Sequence, residues 1–213
     1  ELVMRVTLLS HMFPNHKDPL LGVFVGEKAK ALSKYTGLEI IAPVSYFPGK
    51  RGEFPDKNEE YNYLHVYHPR YLMLPSFLWQ MRWVTYYIVL RHLWRDLLKR
   101  TDVLLVEWIY PDAYAAIQCI KKHHIKTVGV THGNEAIGYF ESKGRREKYI
   151  DALRSLDRII SVSNDLKTKM VDEYAIPDQK IIVVPNGVDL DRFPIIEQQQ
   201  ARRDLGLLSE RPL

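Results

Sequence analysis

The architecture of the chain follows from residues 3–43, which read VMRVTLLSHMFPNHKDPLLGVFVGEKAKALSKYTGLEIIAP. Residues 3–9 are a compact apolar run, which is typical of a buried strand. A loop with two prolines and a glycine follows over 10–22. Apolar residues then recur at helical spacing over 24–35, and a second short apolar run covers 38–43. This order predicts a βαβ unit and therefore a parallel sheet.

The remainder of the chain continues the alternation of strands and helices. The pattern predicts strands at 63–67, 103–106, 127–130, 158–162 and 181–184, and helices at 76–99, 112–123, 143–155 and 164–174. Residues 47–62 are polar and are predicted to form an exposed loop. Several strands are near-continuous apolar runs, which is the pattern of a sheet covered on both faces. We therefore predict a doubly wound, Rossmann-like α/β domain, in which ligands bind at the carboxyl ends of the strands.

Composition excludes several functional classes. A length of 213 residues is enough to bury a proper core. The net charge of +4 is modest, and no basic-aromatic array indicates a nucleic-acid partner. The single cysteine, Cys119, excludes an internal disulfide framework and a cysteine-rich metal site, and it favours a cytoplasmic protein.

The first loop predicted at the functional edge of the sheet ends at Gly22. A helix begins directly after this glycine, and a helix N-terminus with nearby backbone amides suits an anion such as a diphosphate. No Gly-x-Gly-x-x-Gly or Walker pattern accompanies it. The alternative is that Gly22 only serves a turn.

The second loop follows Val106 and places Glu107 and Trp108 at the end of a buried strand. An aromatic face beside a carboxylate is a common arrangement for holding a sugar or polyol, so both residues are predicted to bind such a ligand. The alternative for Trp108 is that it only fills the edge of the core, because aromatic side chains dominate cores.

The third loop contains His132 within Thr131–Glu135. A histidine at the carboxyl end of a strand, beside a glycine that lets a ligand approach the backbone, is well placed to hydrogen-bond a substrate hydroxyl. We predict a functional role for His132; the alternative is a structural histidine.

The helix predicted over Ser76–Lys99 combines large aromatic residues with arginines. Most of these aromatics are expected to face the core, since a helix on a sheet needs an apolar face. The alternative is an interfacial surface that makes peripheral contact with the inner face of a membrane or with a lipid-linked substrate. The segment carries too many charges to span a bilayer.

The last predicted strand runs into Val183-Val184-Pro185-Asn186-Gly187-Val188-Asp189. The proline and the Asn-Gly turn are typical of an exit from a domain. We therefore expect a domain over 1–190 and a linker over 191–213 that leads into a second domain.

Taken together, the motifs resemble the N-terminal half of family 4 retaining glycosyltransferases, which have the two-domain GT-B architecture. The matching pieces follow the family's order along nearly the whole chain: Phe13-Pro14 with Gly22-Val23-Phe24-Val25, Trp108 with Tyr110-Pro111-Asp112, Thr131-His132-Gly133-Asn134, Asp157–Ser163, and Val184–Asp189 with Phe193. Each motif is moderately specific, and the ordered set is strong.

The resemblance implies a hexosyltransferase that moves a sugar from a nucleotide-sugar to an acceptor with retention of configuration and with no metal or other cofactor. It implies that Gly22 approaches the donor diphosphate or sugar, and that Asn186 and Gly187 also bind the donor, at the hinge facing the cleft. It implies that His132 is the catalytic residue and hydrogen-bonds the donor sugar. The N-terminal half of the family mainly holds the acceptor, so the acceptor site is assigned to Glu107, Trp108, Asn134 and Glu135. The acceptor would be a cell-envelope polysaccharide or glycolipid. Since the family's main donor-binding residues lie in its C-terminal domain, we expect the 213 residues alone to be inactive.

The chain departs from the family pattern at two positions. Many relatives have His-x-His before the tryptophan, where this chain has Val106 and Glu107, and many have glycine where it has Ala113. These departures bear on the acceptor more than on the reaction. Two alternatives to a transferase stay open: a non-catalytic module that binds a sugar or nucleotide, and half of a sugar-nucleotide epimerase with the same architecture.

Overall fold

A computed structural model of the chain describes residues 4–48, 54–97, 100–121, 123–133 and 143–207. The strands are β1 (Arg5–Leu9), β2 (Gly37–Ile41), β3 (Val44–Tyr46), β4 (Asn58–Tyr61), β5 (Leu64–Tyr67), β6 (Arg70–Leu72), β7 (Val103–Val106), β8 (Lys126–Thr131), β9 (Arg158–Ser161) and β10 (Ile181–Val183). The α-helices are α1 (Val23–Leu32), α2 (Arg82–Leu97), α3 (Tyr114–Ile120), α4 (Lys143–Ser155), α5 (Asn164–Tyr174) and α6 (Gln198–Asp204).

The main sheet has eight strands in the order β10-β9-β8-β7-β1-β2-β5-β4. Its strand pairs are parallel, apart from the antiparallel pair of β4 and β5 at one edge. Leu8 and Leu9 are neighbours on β1, and both are fully buried, but they belong to separate apolar clusters. Both faces of the central strand are therefore covered, which confirms the predicted doubly wound α/β architecture.

The helices divide between the two faces of this sheet. Val25 and Ala29 of α1 pack in one cluster with Leu8. Tyr86 and Leu90 of α2 pack in the other cluster with Leu9, together with residues of α3, α4 and α5. No helix within the described ranges is both long and apolar enough to cross a membrane.

Three local predictions differ from the structure. Residues 47–62, predicted to be an exposed loop, contain strand β4. This strand lies at the edge of the sheet, where polar and charged side chains are common, so its Asn-Glu-Glu-Tyr sequence has no apolar pattern. The helix predicted from Ser76 begins as a 3₁₀ segment, Ser76–Met81, before α2. The helix predicted from 112 is preceded by a wide helical turn, Ile109–Ala113, which contains a cis Tyr110–Pro111 bond.

Candidate functional site

The carboxyl ends of β1, β7, β8 and β9 are adjacent at one edge of the sheet, because these strands are parallel neighbours. The loops that follow them carry His11, then Glu107, Trp108 and Asp112, then His132, and then Ser163. Ser163 accepts a hydrogen bond from the amide of Leu166 at 3.3 Å and so caps α5. The other loops bring charged and aromatic side chains together.

A buried carboxylate, Glu107, lies at the centre of this edge and is fully enclosed. Its Oε2 accepts a hydrogen bond from Lys28 Nζ at 2.8 Å and another from His132 Nε2 at 3.1 Å. Burial alone would raise the pKa of Glu107, but the hydrogen bond from His132 and the charge and hydrogen bond of Lys28 outweigh it, and the net pKa is lowered. Glu107 is therefore held as a carboxylate between two donors on different elements.

This arrangement sets the tautomer of His132. A carboxylate can only accept, so Nε2 carries the proton and Nδ1 of the neutral ring is a bare acceptor. Nδ1 has no hydrogen-bond partner and is enclosed, and only 5 % of the side chain is exposed. The ring of Phe24 lies 5.0 Å away on one side and that of Trp108 lies 4.9 Å away on another. A ligand would reach Nδ1 only when part of this enclosure moves.

The indole of Trp108 links the two histidines of the site. Its ring centroid lies 4.9 Å from that of His132 and 5.6 Å from that of His11. The side chain is 8 % exposed, and its Nε1 is enclosed without a partner. Trp108 thus contributes to the core, as the simpler alternative suggested, and its assignment to the acceptor stays a prediction.

The pair of His11 and Asp112 was missed by the sequence reasoning. His11 Nδ1 lies 2.7 Å from Asp112 Oδ2, and Asp112 is fully buried. The contact joins the first loop to the Tyr-Pro-Asp motif across 101 positions of sequence. The only sequence signal was that both residues follow parallel strands, β1 and β7, that pair in the sheet.

Gly22 closes the first loop at the start of α1 and has a left-handed backbone, with φ of +62°. A Cβ atom built there would lie 2.3 Å from the carbonyl oxygen of Met12. The amides of Val23 and Val25 already donate to the carbonyls of Leu20 and Gly22. The turn reading of Gly22 therefore has direct support, and its approach to a diphosphate stays a prediction.

We expect Gly22→Ala to lower the free energy of unfolding by about 1–3 kcal/mol. The left-handed backbone disfavours a side chain, and the new methyl group would collide with the carbonyl oxygen of Met12. Urea denaturation measures the change. Gly187→Ala is the matched control, since nothing lies within 4 Å of a Cβ at that position. Equal stability of the two variants would contradict the account of this loop.

The comparison with known families shows the family to which these loops belong. The model of Glycosyltransferase Family 4 matches residues 22–192 of the chain. The chain belongs to glycosyltransferase family 4. It is also 39% identical over 54 residues to a D-inositol 3-phosphate glycosyltransferase of Geodermatophilus obscurus, a match that covers 25% of this chain and 12% of that protein.

Solved structures support the same fold for this family 4 domain. Sucrose-phosphate synthase from Thermosynechococcus elongatus matches 98% of the chain with a TM-score of 0.67 and 12% identity. UDP-GlcNAc 2-epimerase from Methanocaldococcus jannaschii matches 86% with a TM-score of 0.56 and 15% identity. The chain spans 54% and 46% of these two proteins, so it corresponds to about half of their length.

The family 4 domain brings three of the predicted site residues together. At the edge of the sheet, His132 hydrogen-bonds Glu107, and the ring of His132 packs against that of Trp108. Asn186 and Gly187 follow β10 on an exposed segment. Asn134 and Glu135 lie outside the described residues. Among the described side chains, no three His, Cys, Asp or Glu residues are grouped closely enough to hold a metal ion.

Proposed function

We propose that this chain is the acceptor-side domain of a retaining glycosyltransferase, which moves a hexose from a nucleotide-sugar to a cell-envelope polysaccharide or glycolipid. The observation that carries the proposal is the orientation of His132 by the buried carboxylate of Glu107, at the carboxyl edge of a family 4 sheet. Ligands of open α/β sheets bind at this edge.

In this proposal each member of the cluster has one task. His132 Nδ1 accepts a hydrogen bond from a hydroxyl of the donor sugar near the reacting carbon. Glu107, assigned to the acceptor by the resemblance, is instead proposed as a positioning residue, since it is fully buried and contacts His132 and Lys28. Lys28 balances the charge of Glu107, which keeps the buried carboxylate ionised. The reaction needs no metal or other cofactor, and the nucleotide-sugar is a substrate.

We further propose that residues 1–190 form this domain and that 191–213 lead into a donor-binding domain. The segment after β10 supports this, because it exposes apolar side chains that a partner would cover: Val188, Leu190, Phe193, Ile195 and Ile196. Asn186 and Gly187 would then face the cleft between the domains, opposite Gly22, and all three would contact the donor. The 213 residues alone would have no appreciable transferase activity.

A sugar-nucleotide epimerase is the second candidate, and the structural likeness to UDP-GlcNAc 2-epimerase favours it. That likeness is a likeness of fold at 15% identity, whereas the family match concerns glycosyltransferases. A non-catalytic binding module is the third candidate, and a full-length protein that ends without a second αβ domain would favour it.

The surface around α2 also bears on the acceptor. The described side chains Phe77, Met81 and Ile88 are exposed, whereas Tyr86 and Leu90 are in the core. The core-facing side of this helix is thus confirmed. We propose that the full-length enzyme is cytoplasmic and that this outward side meets the inner face of the membrane, where a lipid-linked sugar acceptor would lie.

A screen of the full-length protein against nucleotide-sugars tests the proposed function. We expect release of nucleoside diphosphate from one donor class, and the release should depend on an acceptor from a panel of monosaccharides, inositol phosphates and polyprenyl-linked sugars. The 213-residue chain is the control and should release none. Absence of release by the full-length protein with every donor would contradict the proposal.

A further inference from the structure

The site holds a second histidine that is fixed by a buried carboxylate. Oδ2 of Asp112 accepts hydrogen bonds from His11 Nδ1 at 2.7 Å and from the backbone amide of His11 at 3.3 Å. Asp112 is fully enclosed, whereas 18 % of the His11 side chain is exposed. Two hydrogen bonds to one oxygen fix both the backbone of His11 and the plane of its ring.

The contact with Asp112 determines which ring nitrogen is free. Because a carboxylate only accepts, Nδ1 carries the proton and Nε2 of the neutral ring is an acceptor. Nε2 has no hydrogen-bond partner in the described part of the chain, and it is not one of the enclosed polar atoms. His11 therefore presents an open acceptor atom at the carboxyl edge of the sheet.

The surroundings of Asp112 keep it in the role of acceptor. Tyr86 is fully buried beside it, and burial together with the charge of Asp112 raises the pKa of the Tyr86 hydroxyl well above its usual range. The positive charge of Arg82 also acts on this carboxylate from α2. The groups that face Asp112 from α2 are thus a neutral phenol and a cation, both of which offer donors, so Asp112 remains the acceptor of the bond from His11.

The position of His11 relative to His132 suggests its role. The two rings lie on the same indole, at 5.6 Å and 4.9 Å from the Trp108 centroid. We propose that His11, positioned by Asp112, binds the acceptor: its Nε2 accepts a hydrogen bond from a hydroxyl group of a sugar or polyol. This inference rests on the proposed function, in which His132 takes the donor sugar, and it assigns the neighbouring position to the acceptor alcohol.

Two substitutions of His11 separate this role from a purely structural one. The amide of asparagine lies close to the position of histidine Nδ1, so His11→Asn retains a donor to Asp112 and removes Nε2. The amide of glutamine reaches the position of Nε2, so His11→Gln retains a polar group there and gives up the bond to Asp112. If His11 served only to connect the two loops through its hydrogen bond to Asp112, the enzyme would tolerate His11→Asn better than His11→Gln.

Steady-state kinetics of the full-length enzyme, with the donor and acceptor found in the screen, give the decisive comparison. We expect His11→Asn to raise the acceptor KM about 10-fold, the effect of one lost hydrogen bond, and His11→Gln to recover part of the loss. The Kd of the nucleotide-sugar, measured by calorimetry, should stay within about twofold of wild type. His124→Asn, at an exposed position before β8, is the control and should leave every parameter unchanged.

Each other result contradicts the inference. If His11→Asn left the acceptor KM unchanged, the role of His11 would be structural. If His11→Asn also weakened binding of the nucleotide-sugar, the substitution would be disturbing the whole site. Nitrogen-15 spectra of the ring should show a protonated Nδ1 and an unprotonated Nε2, and the opposite tautomer would also overturn the assignment. A wild-type enzyme that uses no nucleotide-sugar would remove the proposed function, and this inference with it.

Discussion

Replacing His132 by alanine in the full-length protein should lower the rate of sugar transfer by about 100-fold, which corresponds to about 2.7 kcal/mol of barrier. The reason is that, in the proposed function, the donor sugar donates a hydrogen bond to Nδ1, the enclosed acceptor atom of the ring that Glu107 holds, once the enclosing side chains have moved. His132→Gln should be nearly as slow, because its amide reaches the position of Nε2 and restores only the contact with Glu107. Turnover at saturating donor and acceptor measures both variants.

His124→Ala is the control for this prediction, since His124 is exposed and precedes β8 at the opposite edge of the sheet. It should turn over at the wild-type rate. If His132→Ala retained a rate within about threefold of wild type, less than 1 kcal/mol of barrier, His132 would have no direct contact with the reacting sugar.

The substitution Glu107→Ala should lower the free energy of unfolding by about 3–5 kcal/mol, because it leaves the charge of Lys28 partly buried without its partner and frees the enclosed His132 Nε2. Urea denaturation of the chain measures the loss. The double variant Glu107→Leu with Lys28→Met should recover a large part of it, since it removes both charges and keeps the volume. If the double variant were less stable than Glu107→Ala, the charge pair would not be the source of the effect.

The lowered pKa of Glu107 gives this prediction a pH dependence. A carboxyl whose pKa is lower in the folded state contributes stability above its unfolded pKa and loses that contribution as the pH falls through the folded value. The difference in unfolding free energy between wild type and Glu107→Gln should therefore be largest near neutral pH. It should shrink as the pH falls below about 4.3, which is the unperturbed pKa of a glutamate side chain.

The sequence was sufficient for the fold where the chain is periodic. The buried strands of the central sheet are continuous apolar runs, and the helix predicted at 164–174 is α5. It was insufficient where elements are short or polar. The strands β3 and β6 have only three residues each, and the charged edge strand β4 is stabilised by its pairing with β5 and has no apolar pattern of its own.

The candidate site was predictable in its loops but not in its contacts. The rule that ligands meet parallel sheets at their carboxyl ends located Glu107 and His132 in neighbouring loops. It did not show that Glu107 faces inward onto Lys28 and His132, because such contacts join residues 79 and 25 positions apart. The same limit applies to His11 and Asp112, which are 101 positions apart. Only the order of the strands in the sheet brings them together.

Analysis of the reaction product tests the central claim most directly. The full-length protein is incubated with its nucleotide-sugar and acceptor, and the products are examined by nuclear magnetic resonance. The account predicts a new glycosidic bond to the acceptor, with the anomeric configuration of the donor sugar retained and one nucleoside diphosphate released per bond. Conversion of the nucleotide-sugar into an epimer without an acceptor, or a product of inverted configuration, would contradict it.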